Sequence, residues 1–146
     1  MNNVKTIEEV LRTEGMFIST TSGFSMYPML RDRKDTVVIV PPNRRLQKGE
    51  VVLYKANDTY VLHRILEVLP DSYIIRGDNC DEKEYGITDE QIIGVLIEFY
   101  RGDRKIDMEG RSYNIYCTYL FIWRMYRRVK RSAGKVWRAI TRRGSN

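Results

Sequence analysis

One serine and the chain's only histidine are the first candidates for chemistry. Ser25 stands in Thr21-Ser22-Gly23-Phe24-Ser25-Met26-Tyr27-Pro28-Met29-Leu30, with Gly23 two positions before it and Pro28 three positions after. Glycine gives backbone freedom and proline sets φ, so a strand-like run reaching this stretch turns sharply and holds a hydroxyl in the open. A serine hydroxyl is a poor nucleophile at neutral pH and needs a base within hydrogen-bond reach. His63 lies well downstream, in an alternating apolar stretch that reads as a strand. An ordinary imidazole, with a pKa of about 6.5, is largely neutral near pH 7 and able to take the proton. A third group should orient the ring and stabilise its cation. The cluster Gly77-Asp78-Asn79-Cys80-Asp81-Glu82-Lys83-Glu84 offers carboxylates for that task.

Four segments carry a family resemblance when taken in order. They are Gly23-Phe24-Ser25-Met26-Tyr27-Pro28, Lys48-Gly49-Glu50-Val51-Val52, Leu62-His63-Arg64-Ile65 and Arg76-Gly77-Asp78-Asn79. Together they resemble the nucleophile, strand, general-base and final boxes of the signal peptidase superfamily of serine endopeptidases, which includes the LexA-like self-cleaving proteins. The resemblance covers residues 17–100. Many members carry lysine at the base position. Histidine here resembles the branch that includes the endoplasmic reticulum and archaeal enzymes.

The resemblance implies a β-sheet or barrel body and roles for individual residues. Ser25 would be the nucleophile and His63 the general base, with Asp78 as first choice for the orienting acid, Glu84, six positions later, as second, and Asp81 as the remaining alternative. Family members of this branch have aspartate at both acidic positions, so Glu84 is a departure in side-chain length. Ser22, Gly23, Met26 and Pro28 are the candidates for oxyanion and substrate binding. Many members place a hydroxyl residue where this chain has Gly23, so the oxyanion would rest mainly on backbone N–H groups, that of Ser25 first. Loss of one such donor typically slows a reaction about 100- to 1000-fold, so slow turnover or a donor from Ser22 is expected. The implied substrate is an extended leader-like peptide or pre-protein cut after a small residue. The rival expectation is a peptidase-like binding or regulatory protein acting through its basic tail.

The elements that must position these groups read as a mainly β body. A capping box opens a short helix at residues 6–14: Thr6 is the N-cap, Glu9 follows three residues on, and Gly15 is the stop. Strands are expected at 16–21, 36–40, 50–55, 59–69, 72–76 and 92–100, joined by turn residues in the manner of an antiparallel sheet or barrel. The expected core is Phe17, Val37, Ile39, Val51, Leu53, Leu62, Ile65, Ile74, Ile93, Val95 and Ile97. At 146 residues with 42% hydrophobic content, the chain suits one compact domain of residues 1–110 plus an appendage of residues 111–146.

Charge separates the two parts. Ten of the 25 basic residues and none of the 19 acidic ones fall in the appendage, so the body keeps 15 basic groups against 19 acidic ones. In the tail Ile115, Tyr119, Ile122, Tyr126, Val129, Ala133, Val136 and Ile140 recur at steps of four and three, one stripe of an amphipathic helix that Gly134 weakens in the middle. A basic helix of this kind suits an anionic membrane surface through residues 113–143; packing or self-association through the stripe comes next, and nucleic acid is the least favoured partner. Two cysteines give no disulfide framework, and one histidine gives no metal-ligand spacing, so neither metal nor cofactor is expected. The absence of an N-terminal membrane anchor is the largest departure from the family pattern. It suggests a cytoplasmic protein or one peripheral to the inner membrane face.

Overall fold

The computed structural model describes the backbone of residues 5–143 and the side chains of residues 5–133. Two compact units divide at residue 110. The first is a mainly β body of eight antiparallel strands: β1 (Phe17–Thr20), β2 (Asp35–Val40), β3 (Val51–Ala56), β4 (Thr59–Val68), β5 (Tyr73–Arg76), β6 (Glu84–Ile87), β7 (Ile92–Arg101) and β8 (Arg104–Asp107). Their order in the sheet is β1-β2-β7-β3-β4-β5-β6, with β8 also on β7. The central β7 pairs with β2 along one edge; the other edge serves β3 near its start and β8 near its end.

A helix, α1 (Ile7–Glu14), precedes the sheet and begins as its residues require. The Thr6 hydroxyl accepts from the Glu9 N–H while the Glu9 carboxylate accepts from the Thr6 N–H, and Gly15 closes the helix in the left-handed region. Such an N-cap contributes about 1 kcal/mol. Leu11 is the buried residue of α1. Glu8 on the same helix is hydrogen-bonded to the Tyr60 hydroxyl and lies 3.6 Å from Lys55 Nζ, tying α1 to β3 and β4.

One side of the core gathers Leu46, Val52, Tyr54, Ile65, Tyr73, Ile75, Ile87 and Ile92. The expected core is right for Val37, Ile39, Val51, Leu53, Ile65 and Ile74, all buried. It is wrong in β7, where Ile92, Leu96 and Phe99 are buried, Ile93 and Val95 are half-buried and Ile97 is exposed. The run from Ile92 to Ile97 is apolar on both faces, so alternation does not choose between them. Ile92, Gly94 and Leu96 face inward, and the register shift between Val38 and Ile39, which leaves Ile97 as an extra residue, then turns Phe99 inward. Phe17 and Leu62 are likewise only half-buried, both beside a cleft.

The second unit contains one helix, α2 (Arg111–Arg143), continuous through Gly134. Its buried side chains are Tyr113 and Leu120. The stripe residues Ile115, Tyr119, Ile122, Tyr126 and Val129 are exposed, as is Ala133. The side chains of Val136 and Ile140 lie outside the described residues.

Candidate active site

Strand β1 leads into the loop that carries Ser25. The loop folds back on β2 through hydrogen bonds from the Thr21 N–H to the Asp35 carbonyl (2.9 Å) and from the Thr21 hydroxyl to the Arg31 carbonyl (2.6 Å). Asp35 is fully buried and holds the far end of the loop: it accepts from the Arg31 N–H at 2.9 Å and pairs with the Arg31 guanidinium at 2.7 Å. Arg101 of β7 adds a hydrogen bond to the Met29 carbonyl at 2.6 Å. Burial alone would push the Asp35 carboxyl up, but Arg31 and Arg101 together hold it below the usual aspartate range.

Gly23 sits at φ 91°, a left-handed conformation that favours glycine, and its N–H donates to Asp32 Oδ1 at 2.7 Å. That N–H is therefore already committed. Among the described residues no acceptor engages the Ser25 N–H, which leaves it as the backbone donor at this position. Ser25 is half-buried, and the peptide bond between Tyr27 and Pro28 is cis.

The turn after β5 grips this loop from the other side. The Asn79 N–H donates to the Ser25 carbonyl at 2.7 Å, and Asn79 Nδ2 donates to the Phe24 carbonyl at 3.2 Å. Gly77 is the reason the two segments fit. A Cβ added there would lie 2.7 Å from the Ser25 carbonyl oxygen, 2.9 Å from His63 Nε2 and 2.7 Å from Cys80 Sγ, all below any normal contact. The Ser25 backbone and the outer nitrogen of the imidazole thus flank one point that only a residue without a side chain can occupy.

Strand register explains the position of His63. Arg64 pairs with Arg76 at the end of β5, so Gly77 falls opposite His63, and β5 presents no side chain in that row. Glu84, at the start of the next strand β6, reaches into the gap and sets its Oε1 2.7 Å from His63 Nδ1. Tyr54 lies diagonally across β3, two residues along the face from Val52, the residue opposite His63. Its hydroxyl is 2.7 Å from both Glu84 oxygens and 3.2 Å from His63 Nδ1.

A carboxylate accepts hydrogen bonds, so Glu84 fixes the neutral imidazole with its proton on Nδ1 and its lone pair on Nε2. His63 is buried, and desolvation, the largest effect, pulls its pKa below the ordinary histidine value in spite of the opposing pull of Glu84. The imidazole is thereby kept deprotonated at neutral pH. Burial and Glu84 both raise the Tyr54 phenol well above its usual range, so it stays a neutral donor to the carboxylate.

Asp78 has Arg64 as its ion-pair partner. It is fully buried and bidentate with Arg64, at 2.8 Å from Nε and 2.6 Å from Nη2. Arg64 also donates to the Gly49 carbonyl at 2.8 Å, so the Asp78–Arg64 pair fastens the turn at 77–79 to β4 and to the start of β3. Of the two acidic candidates, Glu84 is the one placed at His63 Nδ1, whereas Asp78 is paired with Arg64. Asp81 and Glu82 are exposed. Reasoning from the sequence missed Tyr54 and Arg64. Arg64 carried a signal, being a charged residue in an otherwise apolar run directly after the only histidine and therefore in need of a carboxylate.

A cleft of about 370 Å³ opens beside Ser25 and His63. Ser22, Gly23 and Met26 line it with Phe17, Leu30 and Leu53, while Ile7 of α1 forms part of the rim. Pro28 is not among its lining residues; its carbonyl faces Arg101 instead. Strand β1 runs along the cleft and, at the end of the strand order, leaves its outer backbone edge unpaired among the described residues. No protein-family model matches the chain, and a search of curated proteins likewise gives no match.

Proposed function

We propose that the chain is a serine endopeptidase of signal-peptidase type that cuts an extended, leader-like peptide after a small residue. The observation that carries this reading is the meeting at Gly77. The backbone of Ser25 and Nε2 of His63 flank the same point beside one cleft, while Glu84 holds Nδ1 from behind. The antiparallel body fits the fold implied by the four ordered sequence boxes, and the open edge of β1 suits a peptide laid along it as an added strand.

In this mechanism Ser25 Oγ attacks the scissile carbonyl carbon as its proton passes to His63 Nε2. The imidazolium that forms is stabilised by Glu84, whose carboxylate is kept in place by Tyr54. The Ser25 N–H donates to the oxyanion of the tetrahedral intermediate, with Ser22 at the cleft as a second hydroxyl donor. On collapse, His63 gives its proton to the leaving amine and Ser25 is left as an acyl ester. Water, deprotonated by His63, then releases the acid and restores the serine. The apolar walls of Phe17, Met26 and Leu30 receive the residues before the cut.

Purified protein incubated with a peptide bearing small residues one and three positions before the cut should yield two fragments by mass spectrometry, and Ser25→Ala should yield none. Equal cleavage by the variant rules the mechanism out.

A further inference from the structure

Helix α2 carries a feature that the proposed hydrolysis does not use. Ile115, Tyr119, Phe121, Ile122, Met125, Tyr126 and Val129 are each at least half exposed. At 100° per residue they fall within an arc of roughly 160° on one side of the helix. The other residues on that arc between Asn114 and Ala133 are Asn114, Thr118, Ser132 and Ala133, so the face is free of charge over five turns. Arg128 lies at one margin of the arc and Lys130 at the other, and Arg124, Arg127 and Arg131 occupy the opposite side. Arg127 also stacks over Trp123, at 4.7 Å from the ring centroid.

An apolar face of this size is a burden in water and marks a contact surface. Its charge pattern decides what kind. A second copy of α2 laid face to face would bring basic margins alongside basic margins, with no acidic residue in 111–146 to neutralise them. Nucleic acid would match the charge but would leave the aromatic and aliphatic face in water. An anionic lipid surface meets both demands at once. The apolar arc enters the boundary between headgroups and acyl chains, while the long stems of Arg128 and Lys130 carry their charges up to the phosphates. No helix among the described residues is long and apolar enough to cross a bilayer, which fits a helix lying in the interface plane.

We propose that α2 is an interfacial helix that docks the protein on an anionic membrane through the face from Ile115 to Val129. This does not depend on the peptidase reading, and its test does not read hydrolysis.

The full chain is mixed with vesicles of pure phosphatidylcholine, or of phosphatidylcholine and phosphatidylglycerol in a two-to-one mixture, and sedimented. The protein should pellet with the anionic vesicles, at least tenfold more weakly with the zwitterionic ones, and more weakly again in about 0.5 M salt, where surface charges are screened. The double variant Ile122→Glu/Tyr126→Glu alters only exposed positions and should lower binding at least tenfold. Arg128→Glu/Lys130→Glu should lower it on anionic vesicles alone, with circular dichroism unchanged in both variants. Failure to pellet, equal binding to both vesicle types, or full binding by the apolar-face variant overturns the proposal. So does a dimer in sedimentation equilibrium that the apolar-face variant abolishes without any vesicle binding. Retention of DNA or RNA that only the basic variant weakens, again without vesicle binding, also overturns it.

Discussion

The Asn79 N–H donates to the Ser25 carbonyl at 2.7 Å, which joins the Ser25 loop to the turn that follows β5. The contact is possible because Gly77, two residues before Asn79, has no Cβ to strike the Ser25 carbonyl and His63 Nε2. Gly77→Ala must therefore push the two segments apart. Overpacking of this sort costs about 1–3 kcal/mol, to be read as a lowered midpoint in urea, and peptide cleavage should fall by at least 100-fold as the pair separates. A variant as stable and active as the parent would show that the approach is unimportant.

Glu84 and Asp78 should separate cleanly. Glu84→Gln keeps the size of the side chain but removes the charge that fixes the imidazole tautomer, so kcat should fall on the order of 10³- to 10⁴-fold with little change in stability. Asp78→Asn leaves Arg64 buried against a neutral partner, and breaking such a pair costs about 3–5 kcal/mol. Its main readout is thermal unfolding. Reversal of the two outcomes would restore Asp78 as the orienting acid.

The Tyr54 hydroxyl acts on the base only through the Glu84 carboxylate and the 3.2 Å approach to Nδ1. Tyr54→Phe should reduce kcat by about fivefold, the worth of one hydrogen bond of roughly 1 kcal/mol, and should leave KM unchanged. A change confined to KM would assign Tyr54 to substrate binding.

The pH profile of kcat/KM should rise with pH along a single acid limb whose midpoint lies below about 6.5, because burial lowers the pKa of His63 and only its neutral form accepts the proton. Glu84 pulls that value upward, so Glu84→Gln should move the limb to still lower pH. The same shift bears on stability. The folded state binds fewer protons than the unfolded one, so the contribution of His63 is complete above about pH 6.5 and is lost as the pH falls from there towards its folded value. A limb centred above the ordinary histidine value contradicts this assignment.

Local rules were the legible part of the fold. The capping box of Thr6 and Glu9 with the stop at Gly15 is a pattern confined to a few neighbouring residues, and apolar or alternating runs bounded by turn residues marked six strands at nearly their observed bounds. Glu84–Ile87 and Arg104–Asp107 escaped because four-residue strands with charged or glycine positions offer no periodicity. The face of β7 was misread because Ile92 to Ile97 offers apolar side chains to both faces, and only pairing with distant strands decides which of them is covered. At the site, residue types pointed to Ser25 and His63, whereas the choice between Asp78 and Glu84 depends on where β5 stops relative to β4, a matter of register that spacing along the chain does not contain. In α2 the periodicity revealed the stripe but not whether anything covers it.

The free edge of β1 has a further implication. Backbone amides do not distinguish a substrate from another molecule of the same protein, and a bare strand is an invitation to both. At the outer edge of β1, which no strand covers among the described residues, a peptide and a second copy of this chain would compete for the same row of amides.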